Sequence, residues 1–293
     1  MTLRKQIKYN AKRCLCNNWG KAMAIVLLSC AIYLLFIIIE MIANMLLKVP
    51  VGTASLIQGV SDTWLLSFGL SVVMSIGSFI LLIPLELGIT SWYYSLSDGN
   101  SEDILNIFCC FANRRMFFRS LWLAINVGVR VLLSSVLYLI VPTAGLVLGG
   151  QILRYGTFSG AAFVGSLALV LSGALFILML LFLLIRVQKY FLAKYYLLDG
   201  KTTVGKAIRA SIHATRGLHD EIFVFQLSFI GWWISSVLIL PMLYSSAYYS
   251  MSAMLYARFL IEQDRRANSL VPVETPEEME QTRSFDPQTP DEE

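Results

Sequence analysis

Long apolar runs dominate the chain between positions 22 and 261. A helix needs about 20 consecutive apolar residues to cross about 30 Å of hydrocarbon. Five runs reach or approach that length, and a sixth, rich in Tyr and Ser, is weaker. In chain order they are Ala22–Leu47, Trp64–Leu96, Leu121–Val141, Gly160–Ile185, Ile222–Leu240 and Met242–Ile261. The pattern predicts an all-α, polytopic transmembrane helical bundle of about six spans, with a membrane domain over residues 22–262.

The segment before the first run, residues 1–21, combines basic residues with apolar residues at helical spacing, such as Ile7 and Ala11. Its basic residues are Arg4, Lys5, Lys8, Lys12, Arg13 and Lys21. This pattern is typical of a basic amphipathic helix at a membrane surface. Two roles stay open: recognition of anionic lipid, or, more commonly, a basic flank that keeps the N-terminus in the cytosol.

The segments between the runs also carry local signals. Asp98-Gly99-Asn100 predicts a turn, and Ser101-Glu102-Asp103-Ile104 a capped helix start. The glycine-rich stretch Thr143–Ser159 predicts an irregular hairpin. In the basic segment Lys201–Arg216, apolar residues recur at helical spacing, which predicts an interfacial helix. The face turned toward the lipid or the bundle is predicted to carry Val204, Ile208, Ser211, Ile212 and Leu218.

The distribution of Lys and Arg tests the six-span interpretation. Twenty of the 23 lie in the N-terminal segment, the second and fourth loops and the tail, whereas the opposite loops hold only Lys48 and Arg154. Because basic residues concentrate on the cytoplasmic side, both termini are predicted to be cytosolic in a cell membrane. The acidic, proline-containing tail over residues 263–293 is predicted to be disordered.

Composition agrees with a membrane protein. The 293 residues are 57% hydrophobic and 14% charged, with a mean hydropathy of +0.67. A soluble domain has about 25% charged residues. The five cysteines and two histidines have no metal-ligand spacing, so neither a metal nor a cofactor is expected. The expected partner is the lipid bilayer, with anionic lipid at the cytosolic face, and no nucleic acid; protein partners are left open.

A short internal similarity suggests repeats. Residues 93–101, containing Tyr94 and Asp98, resemble residues 194–202, containing Tyr195 and Asp199. Each segment precedes an amphipathic stretch and a new span. One interpretation is three parallel repeats, each an interfacial helix plus two spans. The alternative is that Asp-Gly was selected independently as a helix breaker.

Two groups of residues carry a resemblance to a known family. They are Asn18-Trp19-Gly20-Lys21 near the start, and the segment from Ala207 through His219 followed by Leu227-Ser228-Phe229-Ile230-Gly231-Trp232. With these motifs the chain resembles an uncharacterised family of bacterial multi-span integral membrane proteins, known mainly by a domain of unknown function. The resemblance implies a multi-span membrane protein and no particular activity.

Ionisable residues within a bilayer are the default functional candidates, because each must find a partner or a hydrated cavity. Glu86 and Arg130 are predicted to lie at similar depth and to pair. Glu40 is predicted to reach toward the outer interface, and Asn126, like Gln226, to bridge helices.

The leading hypothesis is a non-enzymatic structural or accessory component of the envelope that interacts with lipid. The alternative is a small transporter that uses Glu86 and Arg130. A hydrated cavity reaching both residues favours transport, and a dry contact between them favours a structural role.

Overall fold

The computed structural model describes residues 3–46, 62–157, 160–198, 202–235 and 238–270, and over these ranges the chain is helical without strands. The α-helices, in chain order, are α1 Leu3–Leu15, α2 Trp19–Leu46, α3 Asp62–Ser97, α4 Cys109–Ala112, α5 Arg114–Tyr155, α6 Ala161–Val187, α7 Ala193–Leu198, α8 Val204–Ala214, α9 His219–Leu227, α10 Ile230–Ser235 and α11 Ile239–Leu270. Short 3-10 segments at Ile104–Phe108 and Gln188–Tyr190 come before α4 and α7.

Four described segments are long and apolar enough to cross a membrane. They are Trp19–Leu46, Phe68–Ser97, Arg114–Tyr155 and Ala161–Leu198. They form two antiparallel hairpins, α2–α3 and α5–α6. The described chain is therefore helical and has segments long and apolar enough to span a membrane, as the apolar runs predict.

The α5–α6 hairpin is packed through small residues. Cβ atoms added to Gly149 and Gly165 would lie 3.1 Å and 2.8 Å from Leu169 and Leu153 on the facing helix. Such close packing stabilises helix pairs in lipid. It explains why α5 continues through Pro142 as one helix of 42 residues, about 63 Å long. The prediction of an irregular hairpin is wrong for residues 143–155, which are helical because packing against α6 overrides the weak helix propensity of the glycines. Residues 158–159 of the predicted hairpin lie outside the described residues.

The buried core lies at one end of both hairpins, where α2 and α5 begin and α3 and α6 end. We call this the core end. Its buried aromatic residues are Trp92, Tyr93, Tyr195, Tyr196, Phe225, Phe229, Tyr248 and Tyr256. The rings of Phe225 and Tyr256 are stacked with centroids 4.4 Å apart. Away from the core end the helices expose large apolar residues, as Met45 does with 78% of its surface.

Helix α1 packs against α11 at this end. Its apolar face, formed by Ile7, Ala11 and Leu15, is buried. The Lys8 ammonium donates to the Ser228 carbonyl oxygen at 2.9 Å and lies 4.0 Å from the centre of the Phe229 ring. The amphipathic helix predicted for residues 1–21 is present, but its apolar face contacts protein, so only its polar side is left to meet a membrane surface.

The last two predicted spans have a more complicated structure. The fifth run contains two short helices, α9 and α10, separated by Ser228–Phe229. The sixth run lies within α11, where Ala247, Met251 and Ala257 are fully buried. Four of the predicted spans lie in the described segments that are long and apolar enough to cross a membrane, and the six-span interpretation stays a prediction.

Helix α11 continues beyond the sixth run to Leu270. Residues 263–270, predicted to belong to the disordered tail, are therefore helical. Asp264 connects this part of α11 to α7 and α8: it accepts a hydrogen bond from the Tyr196 hydroxyl at 3.2 Å and lies 3.1 Å from His213 Nδ1. Residues 271–293 of the predicted tail lie outside the described residues.

The short connecting helices follow the predicted local signals. The Asp103 side chain accepts from the Ile104 N–H at 2.7 Å and caps the 3-10 segment. This segment approaches α3 so closely that a Cβ on Gly88 would lie 1.8 Å from the Ile107 carbonyl oxygen. In α8 the predicted face is buried at Val204, Ile208 and Ser211 and half-buried at Ile212.

The proposed repeat can be followed only in part. The first two units each contain a short amphipathic segment followed by a helical hairpin, whereas the third contains α8, the broken pair α9–α10 and α11. The first turn has Gly99 at a φ of 86°, which favours glycine. The matching Asp199-Gly200 lies outside the described residues, so the three-repeat interpretation stays a prediction.

Candidate functional site

Glu86 pairs with Lys194, not with the predicted partner Arg130. The Lys194 ammonium lies 2.9 Å from Glu86 Oε1, joining α3 to α7. The Lys194 and Glu86 side chains keep 37% and 67% of their surface accessible, respectively. The two side chains therefore form an ion pair that also remains accessible to solvent or a ligand. The prediction of a Glu86–Arg130 pair is wrong.

Lys194 reaches Glu86 because the chain changes direction after α6. The 3-10 segment Gln188–Tyr190 and the turn that follows it lead into α7. Leu192, Ala193 and Leu197 are buried around Lys194 and hold its backbone in the core. In the sequence Lys194 is one of several basic residues after an apolar run, so its contact with Glu86, 108 positions away, has no local signal.

A cavity of about 480 Å³ opens beside the ion pair, between α3, α5 and the chain that leads into α7. Its polar lining residues are Glu86, Ser120, Gln188, Lys194 and Gln226, and its other walls are mainly apolar. Ligand sites commonly combine an apolar wall with a few polar groups in a cavity of this size. The cavity could therefore hold an amphiphilic or small polar molecule.

A second cavity, of about 170 Å³, lies on the other side of the pair and is also lined by Glu86, Phe191 and Lys194. Tyr93, on its wall, is 2% exposed, and Ser250 lines the same cavity. The hydroxyl groups of Tyr93 and Ser250, together with the ion pair, give this cavity polar walls that suit water or a polar ligand group. The ion pair thus lies between two cavities.

Gln226 bridges two segments, as predicted. Its side-chain oxygen accepts from Gln188 Nε2 at 3.0 Å. The same Gln188 nitrogen also donates to the Leu184 carbonyl oxygen at 3.2 Å. The contact connects α9 to the end of α6 at the edge of the larger cavity, and it supplies amide groups near Glu86.

The remaining sequence candidates are dispersed. Arg130 is exposed on α5 and forms no ion pair with any residue that the structure describes, and it does not line either cavity. Asn126 Nδ2 donates to the Trp122 carbonyl oxygen at 2.8 Å, so this bond stays within α5 instead of bridging helices. Glu40 accepts from the Ser71 hydroxyl at 2.6 Å, a bond that connects α2 to α3.

The adjacent thiols of Cys109 and Cys110 differ in environment. A hydrogen bond from the Cys110 side chain lowers the pKa of Cys109 to about 6, although partial burial opposes this change. The same hydrogen bond, together with burial, raises the pKa of Cys110. Over the described ranges, no group of three or more His, Cys, Asp or Glu residues is arranged to hold a metal ion.

Comparison with known proteins extends the family resemblance. A family model described as a protein of unknown function (DUF975) matches residues 1–263. Comparisons with curated proteins and with solved structures gave no match. The matched region ends within α11, so it includes both hairpins, the ion pair and the two cavities.

Proposed function

Because the chain belongs to the DUF975 family of proteins of unknown function, we propose a function from its geometry: a non-enzymatic, structural or accessory component of the bacterial cytoplasmic membrane that interacts with lipid. This protein would hold two apolar hairpins in a defined arrangement and present their faces to the bilayer. Both termini would lie in the cytosol.

The observation that carries this proposal is the placement of the core. Burial is concentrated at the core end, where α11 contacts α1, α2, α3, α7 and α8. Farther along the hairpins, large apolar side chains such as Leu137 and Val170 are exposed by 73% and 69%. Apolar surface of this extent needs lipid or another protein to cover it. The architecture therefore supports an anchoring role, with the folded core at the membrane surface.

A flux measurement tests the structural role. Full-length protein is reconstituted into vesicles that contain a pH-sensitive dye, and a proton or potential gradient is applied. We expect the same dye response as in empty vesicles. A flux that disappears in Glu86→Gln and persists in Arg130→Gln would overturn the structural proposal, because Glu86 lines both cavities and Arg130 lines neither.

The second candidate function is transport, and the two cavities beside Glu86 and Lys194 favour it specifically. Because Glu86 and Lys194 both line the two cavities, either residue could release the other and bind a solute or, at Glu86, a proton. The role predicted for Glu86 and Arg130 would then belong to Glu86 and Lys194. The vesicle measurement separates this candidate from the structural one, since a Glu86-dependent flux is expected only for a transporter.

A further inference from the structure

The core end carries a basic groove that is separate from the Glu86 cavities. It has a volume of about 680 Å³ and lies between the end of α6, helix α8 and the start of α9. Four cations line it: Arg186, Lys189, Arg209 and Arg216. None of the four forms an ion pair with a residue in the described part of the chain. Asp220 is the one lining carboxylate among the described residues, so the lining carries a clear excess of positive charge when the histidines are neutral.

Buried hydrogen bonds hold the two sides of this groove together. The fully buried Ser211 donates from its hydroxyl to the Lys189 carbonyl oxygen at 2.8 Å. The Thr215 hydroxyl, also fully buried, donates to the Ser211 carbonyl oxygen at 2.8 Å and lies 3.4 Å from the Lys189 carbonyl oxygen. These bonds fix α8 against the 3-10 segment. Arg209 and Arg216 are consequently held on the same groove as Lys189, and their charges remain exposed.

The groove continues into an apolar face. Phe182 and Ile185 form part of its wall, and Leu178, one turn earlier on α6, is 60% exposed. The Arg186 guanidinium lies 5.3 Å from the centre of the Phe182 ring. Positive charge therefore lies directly at the end of an apolar helix face that is long enough to cross a membrane. This is the arrangement that a phosphate headgroup with attached acyl chains requires.

We propose that this groove binds the phosphodiester headgroup of an anionic glycerophospholipid, with an acyl chain along the α6 face. The inference rests on the proposed lipid-interacting function and names its binding site. Arg209 and Arg216 contact the phosphate, Lys189 contributes from the opposite wall, and Phe182 marks the boundary between headgroup and acyl chain. A soluble phosphate would use the four cations but would gain nothing from the apolar wall.

The test compares lipid binding by full-length protein in a non-ionic detergent, with bound lipid counted by native mass spectrometry. The probes are phosphatidylglycerol, phosphatidylcholine with the same acyl chains, and inorganic phosphate as a competitor. We expect phosphatidylglycerol to bind more tightly than phosphatidylcholine, and inorganic phosphate to displace it poorly. In the variant Arg209→Gln/Arg216→Gln the affinity for phosphatidylglycerol should fall about tenfold, because each cation contributes substantially to headgroup attraction.

A matched control removes two other exposed cations, Lys206 on the same helix and Arg13 on α1, neither of which lines the groove. Lys206→Gln/Arg13→Gln should change the affinity less than about twofold, because these charges lie outside the headgroup site. If Arg209→Gln/Arg216→Gln does not fold, as judged by thermal unfolding, Arg186→Gln/Lys189→Gln replaces it with the same expected loss.

Three results would overturn the assignment: equal affinity for the two lipids, equal loss in the groove and control variants, or full displacement by millimolar inorganic phosphate, which would indicate a site for a free anion. Failure of the groove proposal would appear as one of these binding results, whereas failure of the structural proposal would appear as a Glu86-dependent flux across vesicles. The two failures are therefore distinguishable, and the structural role can survive the first.

Discussion

The contact between Lys194 and Glu86 pairs two charges on different apolar segments. Both residues lie on segments apolar enough to span a membrane, and each charge is satisfied by the other at 2.9 Å. An unpaired charge in that environment is costly, whereas a pair open to a cavity retains part of its solvation. The pair therefore connects α3 to α7 and keeps both groups accessible to a ligand or water.

A double-mutant cycle on thermal unfolding tests this pair. Glu86→Gln and Lys194→Gln should each destabilise the protein, with a coupling of about 1–3 kcal/mol, between the values for exposed and buried pairs. The control cycle combines Glu86→Gln with Arg130→Gln, and its losses should add within about 0.5 kcal/mol. Strong coupling to Arg130 together with none to Lys194 would contradict the structure.

The vicinal thiols give a prediction about pH. Since the pKa of Cys109 is lowered to about 6, most of this thiol is ionised at neutral pH, whereas an ordinary cysteine, with a pKa near about 8.5, is mostly protonated. In a background of Cys14→Ser, Cys16→Ser and Cys30→Ser, alkylation by iodoacetamide should rise with pH to a midpoint of about 6 and then level off.

The Cys110→Ala variant provides the control for this experiment. Without the hydrogen bond from Cys110, the midpoint of Cys109 alkylation should move up toward the ordinary thiol value. If Cys109 alkylation has the midpoint of an ordinary thiol while Cys110 is present, this hydrogen bond does not stabilise the Cys109 thiolate.

At the scale of elements, packing between α5 and α6 stabilises both long helices. The helix-breaking residues in the sequence, Pro142 and the glycines near it, would end a helix in water. In the hairpin these same glycines let the two backbones approach, and the close packing that results outweighs the loss in helix propensity. Helix α8 shows the opposite case, since its periodicity alone predicts the buried face.

Two glycines on α6 form a matched pair for testing the hairpin contact. Gly165→Val would place atoms within 2.8 Å of the Leu153 side chain, whereas a Cβ on Gly173 meets nothing within 4 Å. We expect Gly165→Val to lower the free energy of unfolding by about 1–3 kcal/mol through overpacking. Gly173→Val has the same change in helix propensity and should be nearly neutral. Equal effects of the two substitutions would argue against the close contact.

At the scale of the whole molecule, the two terminal helices meet. The Tyr248 hydroxyl donates to the Lys8 carbonyl oxygen at 3.3 Å, and Arg258 lies 2.6 Å from Asp98 at the end of α3. Helix α11 therefore connects α1 to the α2–α3 hairpin at the core end. If the core end faces the cytosol, the basic residues that surround it follow the positive-inside rule.

Single-cysteine labelling in a Cys-free background tests this orientation. Ser61→Cys and Ser159→Cys, which follow α2 and α5 in the chain, should react with an impermeant maleimide in intact cells. Ser284→Cys, which follows α11, should react only after the cells are opened. Labelling of Ser284→Cys from outside would place the C-terminus on the opposite side and contradict the cytosolic assignment of both termini.

The sequence by itself determined that this is a helical protein with spans long enough for a membrane, where α1 and α8 lie, and which face of α8 is buried. These features depend on apolar run length and on the helical period, which are local properties. The bridging role of Gln226 was also predicted, since an amide in an apolar helix needs a partner.

Tertiary structure alone decided which residues meet. Lys194 replaced Arg130 as the partner of Glu86 because the turn after α6 brings α7 against α3, and α5 passes through Pro142 because α6 packs on it. The apolar face of α1 is covered by α11 instead of lipid. Each of these contacts joins segments far apart in the chain, and their energies come from packing and charge pairing across that distance, which no local pattern of hydrophobic and polar residues records.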